Sequence, residues 1–470
     1  MNVTEHEEKD SQPCKRDCLR MVVAEQREEV GASNHGRIAE TGDTSANERM
    51  GNLLEEILHR DNMNLAYRKV KANRGAGGVD KMAVEDLLPY LKENGQKLIE
   101  EIRTGKYKPN PVRRVEIPKE EPGKTRQLGI PTVVDRVVQQ AIAQVLSPIY
   151  ESQFSENSFG FRPGRSSHDA LRQCQKYADE GFVHVVDMDL EKFFDTVSQS
   201  KLIEVLSKSI KDGRVISLIH KYLNAGAIRR GIFEKTEQGV PQGGTISPLL
   251  GNIMLNELDN ELERRGHKFV RYADDCMIFC KSIRSAERTL TSITKFIEGK
   301  LFLKVNREKT KVAHISQVKY LGYGFYRYKG KCRLKVHKKS EVKLKNRLRA
   351  IMKRNSGVSN EDRPNILKRF VTGWVNYFKL ADMKRLLKDT DEWLRRKIRA
   401  IYWKQWKKIK TRYAMIRKYK LPEWKVHEMA NCRKGIWRAA LMLNSVLTNK
   451  EIASLGYIAM TDYYIKVCKT

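Results

Sequence analysis

Two adjacent aspartates, Asp274 and Asp275, constrain this chain more than any other feature, because FVRYADDCMIFC (269–280) reads as a β-hairpin with both acids at its tip. Strand-favouring residues flank them: Phe269, Val270 and Tyr272 before, then Met277, Ile278 and Phe279 after. Like charges side by side are unfavourable unless a cation lies against them. Hard divalent cations such as Mg²⁺ take oxygen ligands from a few carboxylates. The hairpin is therefore a candidate half of a two-metal phosphoryl-transfer site.

A second source of carboxylates is expected in FVHVVDMDLEKFFD (182–195). Phe182 to Val186 reads as a buried strand, with Asp187 and Asp189 where it ends. Period-two alternation sets both acids on one face and Val186, Met188 and Leu190 on the other. A buried strand that ends in acids needs a positive partner. Asp187 also fits a structural hydrogen-bonding role, and Asp195 fits the turn into a helix capped by Ser198. Asp189 is the best metal candidate, with the Leu190 carbonyl as an additional oxygen ligand. Three carboxylates from two strands can hold two Mg²⁺ ions, one activating a 3′-hydroxyl and one neutralising pyrophosphate. That chemistry is nucleotidyl transfer.

Charge points to the same class of partner. The net charge is +33 over 470 residues, but residues 1–50 carry −4 and residues 331–470 carry +26. All six tryptophans lie in that last segment. Cations among aromatics suit a polyanion whose bases stack. No run approaches the roughly 20 apolar residues of a spanning helix, and residues 1–20 are too polar for a secretory signal. A cytoplasmic protein acting on nucleic acid is expected, with no membrane partner. The eight cysteines are scattered, without paired CxxC motifs, so neither a zinc module nor a disulfide framework is supported. Cys276 and Cys280 share one strand face, expected to be packed.

Local patterning divides the chain further. Residues 1–49 lack apolar periodicity and read as a disordered tail. A helix is expected from Asn52 past Asp61-Asn62 to Gly75, with Leu53, Leu54, Ile57, Leu58 and Leu65 on one stripe. Helices are also expected over 199–223 and 284–300. In 337–354, Val342, Leu344, Leu348 and Ile351 fall near one face. Residues 393–420 look too charged to bury, laying Arg395, Arg396, Arg399, Lys404, Lys407 and Lys408 against phosphates.

Seven motifs then follow in order: RRVEIPKEEPGKTRQLGIPTVVDRVVQQAI (113–142), SFGFRPGRSSHDAL (158–171), VVDMDLEKFFD (185–195), GVPQGGTISPLLGNIMLNELD (239–259), RYADDC (271–276), LKVNREKTKV (303–312) and YLGYGF (320–325), with GWVNYF at 373–378. Together they resemble the bacterial group II intron-encoded reverse transcriptase/maturases, most closely the compact class that lacks an endonuclease domain. The resemblance implies an α+β right-hand polymerase followed by a helical thumb. Its implied divisions are an N-terminal extension with a template-covering loop (50–81), fingers (82–180), palm (181–330), thumb or maturase domain (331–415) and a basic DNA-binding segment (416–470). Asp189, Asp274 and Asp275 match the metal-binding triad. Lys119, Arg126, Phe194 and Gln242 match contacts to the incoming dNTP, Phe194 as the gate against a ribose 2′-hydroxyl. Arg162, Arg165, Gly322, Arg395, Arg396, Arg399, Lys404 and Lys407 are the expected nucleic-acid contacts, Gly322 in the primer grip. Lys81 departs from the family pattern, which has glycine there. The implied function is RNA-directed DNA synthesis with two Mg²⁺, on an RNA template with a DNA primer, supporting intron splicing and target-primed retrohoming into DNA. The resemblance further implies a ribonucleoprotein, nucleoid-associated when integrating. A maturase with a decayed polymerase is the main rival, and the intact acids argue against it.

Overall fold

The computed structural model describes residues 52–118, 123 and 125–469, so the expectation for 1–49 lies outside the described residues. The strands are β1 (Val112–Pro118), β2 (Thr125–Ile130), β3 (His184–Met188), β4 (Ala227–Arg229), β5 (Ile232–Glu234), β6 (Lys268–Tyr272), β7 (Asp275–Cys280), β8 (Lys311–His314), β9 (Lys319–Tyr320), β10 (Tyr323–Tyr328) and β11 (Lys331–Val336). Helices dominate the remainder, giving an α+β chain. It divides into two compact units, one of Met1–Ser155, Leu190–Glu261 and Lys295–Val305, the other of Glu156–Asp189, Leu262–Thr294 and Asn306–Thr470.

The first unit holds a four-stranded sheet of order β2-β1-β4-β5, antiparallel except where β1 meets β4. Helix Val133–Glu151 is its apolar centre, burying Val137, Val138, Ala141, Ile142 and Leu146. Thr132 starts that helix, its hydroxyl accepting from the Asp135 amide. Two expected helices are broken. Residues 53–73 form two helices because His59 leaves helical geometry and its ring caps the second, accepting from the Asp61 amide. Leu65 is consequently 47% exposed and off the buried stripe. Residues 199–223 likewise split into Gln199–Ser209 and Gly213–Leu223, because the Asp212 carboxylate accepts from the Arg214 amide and starts a new helix. Ser198 does cap the first of these, accepting from the Lys201 amide. Lys81 adopts φ +57°, a conformation that favours the glycine the family pattern has there.

The second unit contains an antiparallel sheet of order β6-β7-β3-β8 and a three-stranded sheet β11-β10-β9, followed by helices to residue 469. One apolar core runs from Val185 and Phe279 through Phe325 and Leu334 to Leu344, Val375 and Trp403. β3 runs from His184 to Met188 rather than from Phe182 to Val186, and its later end leaves Asp187 inside the strand. Leu344, Leu348 and Ile351 are buried as expected, but Val342 is exposed. The basic stretch 393–420 is a correction too. Leu394, Ile398, Ile401, Trp403 and Trp406 are all buried, because its apolar residues recur at helical spacing despite the charge between them.

Candidate active site

The acid-bearing hairpin forms as expected. β6 and β7 pair with Tyr272 opposite Asp275, leaving Ala273 and Asp274 as a two-residue turn. Ala273 takes φ +56°, a strained conformation for a side chain with a Cβ, costing about 1 kcal/mol. Three features hold it. The wholly buried Arg271 donates from Nη1 to the Ala273 carbonyl at 3.0 Å. Backbone bonds from Phe159 N to Arg271 O and from Arg271 N to Asn157 O, each 2.9 Å, lay residues 157–159 along β6. Gly160 then passes so close that an added Cβ would lie 2.4 Å from the Ala273 nitrogen. The SFGF motif therefore props the acid-bearing turn.

Asp189 follows the last residue of β3, Met188, which pairs with Cys276 on β7. The two acid-bearing strands are thus immediate neighbours. The 306–310 turn closes on Asp189 from the other side. The Asn306 amide donates to the Asp189 carbonyl (2.9 Å), and Thr310 Oγ1 accepts from the Asp189 amide (3.1 Å). Asn306 Nδ2 and Lys309 Nζ both reach Asp189 Oδ2, at 3.0 and 3.1 Å. These residues carried no assigned role from sequence. The signal was the LKVNREKTKV motif, but its contact with Asp189 spans more than a hundred residues.

The electrostatics are those of acids crowded without full compensation. Burial raises Asp187 to about 6, with Lys311 opposing and Asp189 adding repulsion. Asp275 reaches solvent at the tip, yet the protein packed around it strips part of its hydration. That loss, followed by repulsion from Asp274, Asp189 and Asp187, raises it to about 7. Among the described residues, no three His, Cys, Asp or Glu side chains are already arranged to hold an ion. The donors nonetheless fit a divalent metal: they are carboxylate oxygens, mutually repelling, one of them held for now by an ammonium. A consequence follows for stability. A carboxyl whose folded pKa is raised favours folding below the ordinary carboxylate range and loses that contribution as pH rises through the folded value. Metal-free protein should therefore melt lower at pH 8 than at pH 6, and added Mg²⁺ should recover more at pH 8. Asp275→Asn should flatten both trends in thermal scans; an unchanged pH slope would contradict the coupling.

Of the dNTP-contact candidates, Arg126, Phe194 and Gln242 lie in the first unit and are locally joined. Residues 239–244 are the seam. The Val240 amide donates to the Phe194 carbonyl (2.7 Å), and the Gly129 amide of β2 donates to the Gln242 carbonyl (2.7 Å). Gly243, at φ +117°, would place a Cβ 2.6 Å from the Gly129 oxygen, so the turn requires glycine. Phe194 is half-buried, edge-on to buried Phe193 at 5.1 Å between ring centres. Arg126 is exposed on β2, paired with Ile117. Leu190 is buried, bridging Val305. Lys119 lies outside the described residues.

The expected nucleic-acid contacts separate into two groups. Arg165, Arg395 and Arg396 are half-buried, while Lys404 and Lys407 are exposed. Arg165 pairs with Glu156. Arg396 lies 4.1 Å over the Trp437 ring and donates to the Trp437 carbonyl, while Lys404 donates to Asn355. Gly322 has φ +82° and would set a Cβ 3.2 Å from Phe378. Arg162 and Arg399 correct the expectation: both are buried, donating to the carbonyls of Ser158 (2.8 Å) and Leu447 (2.8 Å). Burial and these bonds turn both guanidinium groups toward the protein rather than toward solvent.

Residues 117–325 match the family model for reverse transcriptase (RNA-dependent DNA polymerase), and residues 342–420 match that for the group II intron, maturase-specific domain. The chain is 35% identical over 320 residues to Protein YkfC of Escherichia coli K12, covering 60% of this chain and 84% of that protein. It is 31% identical over 353 residues to the group II intron-encoded protein LtrA of Lactococcus lactis subsp. cremoris, covering 61% of this chain and 58% of LtrA. A putative COX1/OXI3 intron 2 protein of Saccharomyces cerevisiae is 31% identical over 323 residues, covering 55% of this chain and 37% of that protein. Among the described residues, no helix is long and apolar enough to cross a membrane.

Proposed function

The chain belongs to the reverse transcriptases that carry a group II intron maturase-specific domain, and from that premise we propose how its residues divide the work. Its activity is RNA-directed DNA polymerisation, and intron RNA is the partner of its maturase region. The observation that carries the residue assignment is the acid cluster: Asp274 and Asp275 at a propped hairpin tip, with Asp189 just past the end of the adjoining strand.

Divalent metal ions serve this family; here two Mg²⁺ ions are our assignment, and Asp189, Asp274, Asp275 and the Leu190 carbonyl would hold them. When bound, they supply Lewis-acid stabilisation of the attacking 3′-hydroxyl and the leaving pyrophosphate. The protein groups do the rest. Lys309 and Asn306 keep the Asp189 carboxylate oriented and its charge balanced until loading. Arg126 and Lys119 bind the triphosphate, where a forked guanidinium and a point charge both suit phosphate. Gln242 lies along the incoming nucleotide, and Phe194 blocks a 2′-hydroxyl. The template is RNA, the primer DNA, and the target of insertion DNA. The divisions 50–81, 82–180, 181–330, 331–415 and 416–470 serve as template-covering extension, fingers, palm, thumb and DNA-binding segment.

The direct test is extension of a DNA primer on an RNA template with Mg²⁺ and dNTPs. Phe194→Ala should admit rNTPs, raising their incorporation relative to dNTPs by about 10- to 100-fold, the scale of one lost steric exclusion. An unchanged preference would remove Phe194 from the gate.

A further inference from the structure

The β10–β11 hairpin presents a face that the catalytic chemistry leaves unused. Its turn residues, Lys329 and Gly330, both have positive φ, as a tight two-residue hairpin requires. Register sets Tyr326 opposite Arg333, Tyr328 opposite Lys331 and Gly324 opposite Lys335, all on one face. The opposite face sends Tyr323, Phe325, Leu334 and Val336 into the core. Lys331, Arg333 and Lys335 are exposed. Tyr328 is 49% exposed, with the Arg333 guanidinium 5.1 Å and the Lys329 ammonium 5.8 Å from its ring centre.

β11 is also an edge strand, and helix Ser167–Asp179 covers that edge. Asp179 Oδ1 accepts from the Cys332 amide at 2.6 Å, and Gln175 Nε2 donates to the Cys332 carbonyl at 2.8 Å. Beside this seam lies a cleft of about 690 Å³, with Arg172 and Lys176 on the helix side and Lys331 and Arg333 on the strand side. Two acids, Asp179 and Glu180, also line it, but Asp179 already holds the Cys332 amide. Lysines often guard an edge strand against pairing with another chain. Here the helix side chains already occupy the edge, so four cations are not needed for that.

We propose that this cleft, with Tyr328 beside it, docks an unpaired stretch of RNA: phosphates between Arg172–Lys176 and Lys331–Arg333, and a base stacked on Tyr328. The proposal rests on the reading that the chain binds intron RNA, and names where part of that RNA sits. Arg172 also pairs with Asp169 and Arg333 with Asp382, on the exposed surface where such pairs are weak. The cluster with Lys176 and Lys331 still suits a polyanion. An exposed ring among them suits a base that stacks, which a phosphodiester strand has and an acidic peptide lacks. The hairpin turn and β11 fall between the two matched family regions, 117–325 and 342–420, while Arg172 and Lys176 lie inside the first.

The test uses the full chain saturated with a chain-terminated template–primer duplex, so that the polymerase cleft is filled. A fluorescein-labelled 12-nucleotide oligouridylate is then titrated at several salt concentrations. Tyr328→Ala should weaken binding about tenfold, the scale of one lost base stack, with the salt slope unchanged. Lys176→Ala with Lys331→Ala should lower the salt slope by about 1.4, as two lost phosphate contacts demand. Primer extension by the same preparations should match wild type. Oligouridylate that does not bind the filled enzyme, or binds all variants equally, overturns the proposal, as does equal competition by polyglutamate. Oligodeoxythymidylate binding as tightly as the RNA would also overturn it, assigning the cleft to DNA. Primer extension measured alongside keeps these failures distinct from loss of the polymerase itself.

Discussion

Replacing Asp189 by Asn, or Asp274 by Ala, should abolish metal-dependent cDNA synthesis while leaving RNA binding intact. Either change removes a charged oxygen donor from a cluster in which Asp275 already feels both neighbours. A loss of at least about a thousandfold, ~4 kcal/mol of transition-state stabilisation, is expected if these acids carry the metals. Stability should move little. The Lys309–Asp189 ion pair has one largely exposed partner, and such pairs contribute about 0–1 kcal/mol. Asn at 189 also relieves repulsion on Asp275. Primer extension, filter binding to RNA and a thermal melt on each variant together decide it. Simultaneous loss of extension and RNA binding at an unchanged melting temperature would contradict the assignment.

The second large effect is expected far from any charge. Gly160→Val would set a Cβ 2.4 Å from the Ala273 nitrogen and 3.0 Å from the Tyr272 carbonyl carbon. Both are backbone atoms of the acid-bearing turn, so the turn itself must shift. A displacement of about 1 Å in a reacting group can reduce rate about a hundredfold, and overpacking of this kind costs about 1–3 kcal/mol. Extension should fall by that factor with circular dichroism unchanged. Gly164→Asn is the control in the same motif: Gly164 has φ +69°, which asparagine tolerates, and open space where its Cβ would go. Equal damage from both variants would mean that general destabilisation, not the position of Ala273, explains the loss.

Much of the site was legible because its signals are local. The hairpin could be read from strand-favouring residues on both sides of two acids, although its observed turn is Ala273 and Asp274, with Asp275 the first residue of β7. Period-two logic set Val186, Met188 and Leu190 on the face away from Asp187 and Asp189, and all three are buried. Ser198 was recognisable as a cap because a hydroxyl ahead of a helix finds its amide three residues on.

Less legible were interactions whose second partner is distant or is backbone. Asn306, Lys309 and Thr310 close on Asp189 across separations of 117 to 121 residues, which no local pattern encodes. Arg162 and Arg399 read as cations for phosphate, because a sequence displays a charge but not the carbonyl that receives it. Leu65 and Val342 read as core because a few apolar residues at helical spacing do not reveal which face has a neighbour. The breaks at His59 and Asp212 arise from side chains capping backbone amides, which compete with continuing the helix.

By itself the chain's order of residues determined the chemistry: which acids, on which strands, beside a basic C-terminal region suited to a polyanion. Tertiary structure alone decided the surroundings of those acids, namely the ammonium on Asp189, the buried guanidinium and close glycine under Ala273, and the cationic cleft at the β11 edge. The reason is range. Periodicity, capping and turn chemistry act over a few residues and are written in the sequence, whereas charge balance and steric support come from atoms that only folding makes neighbours.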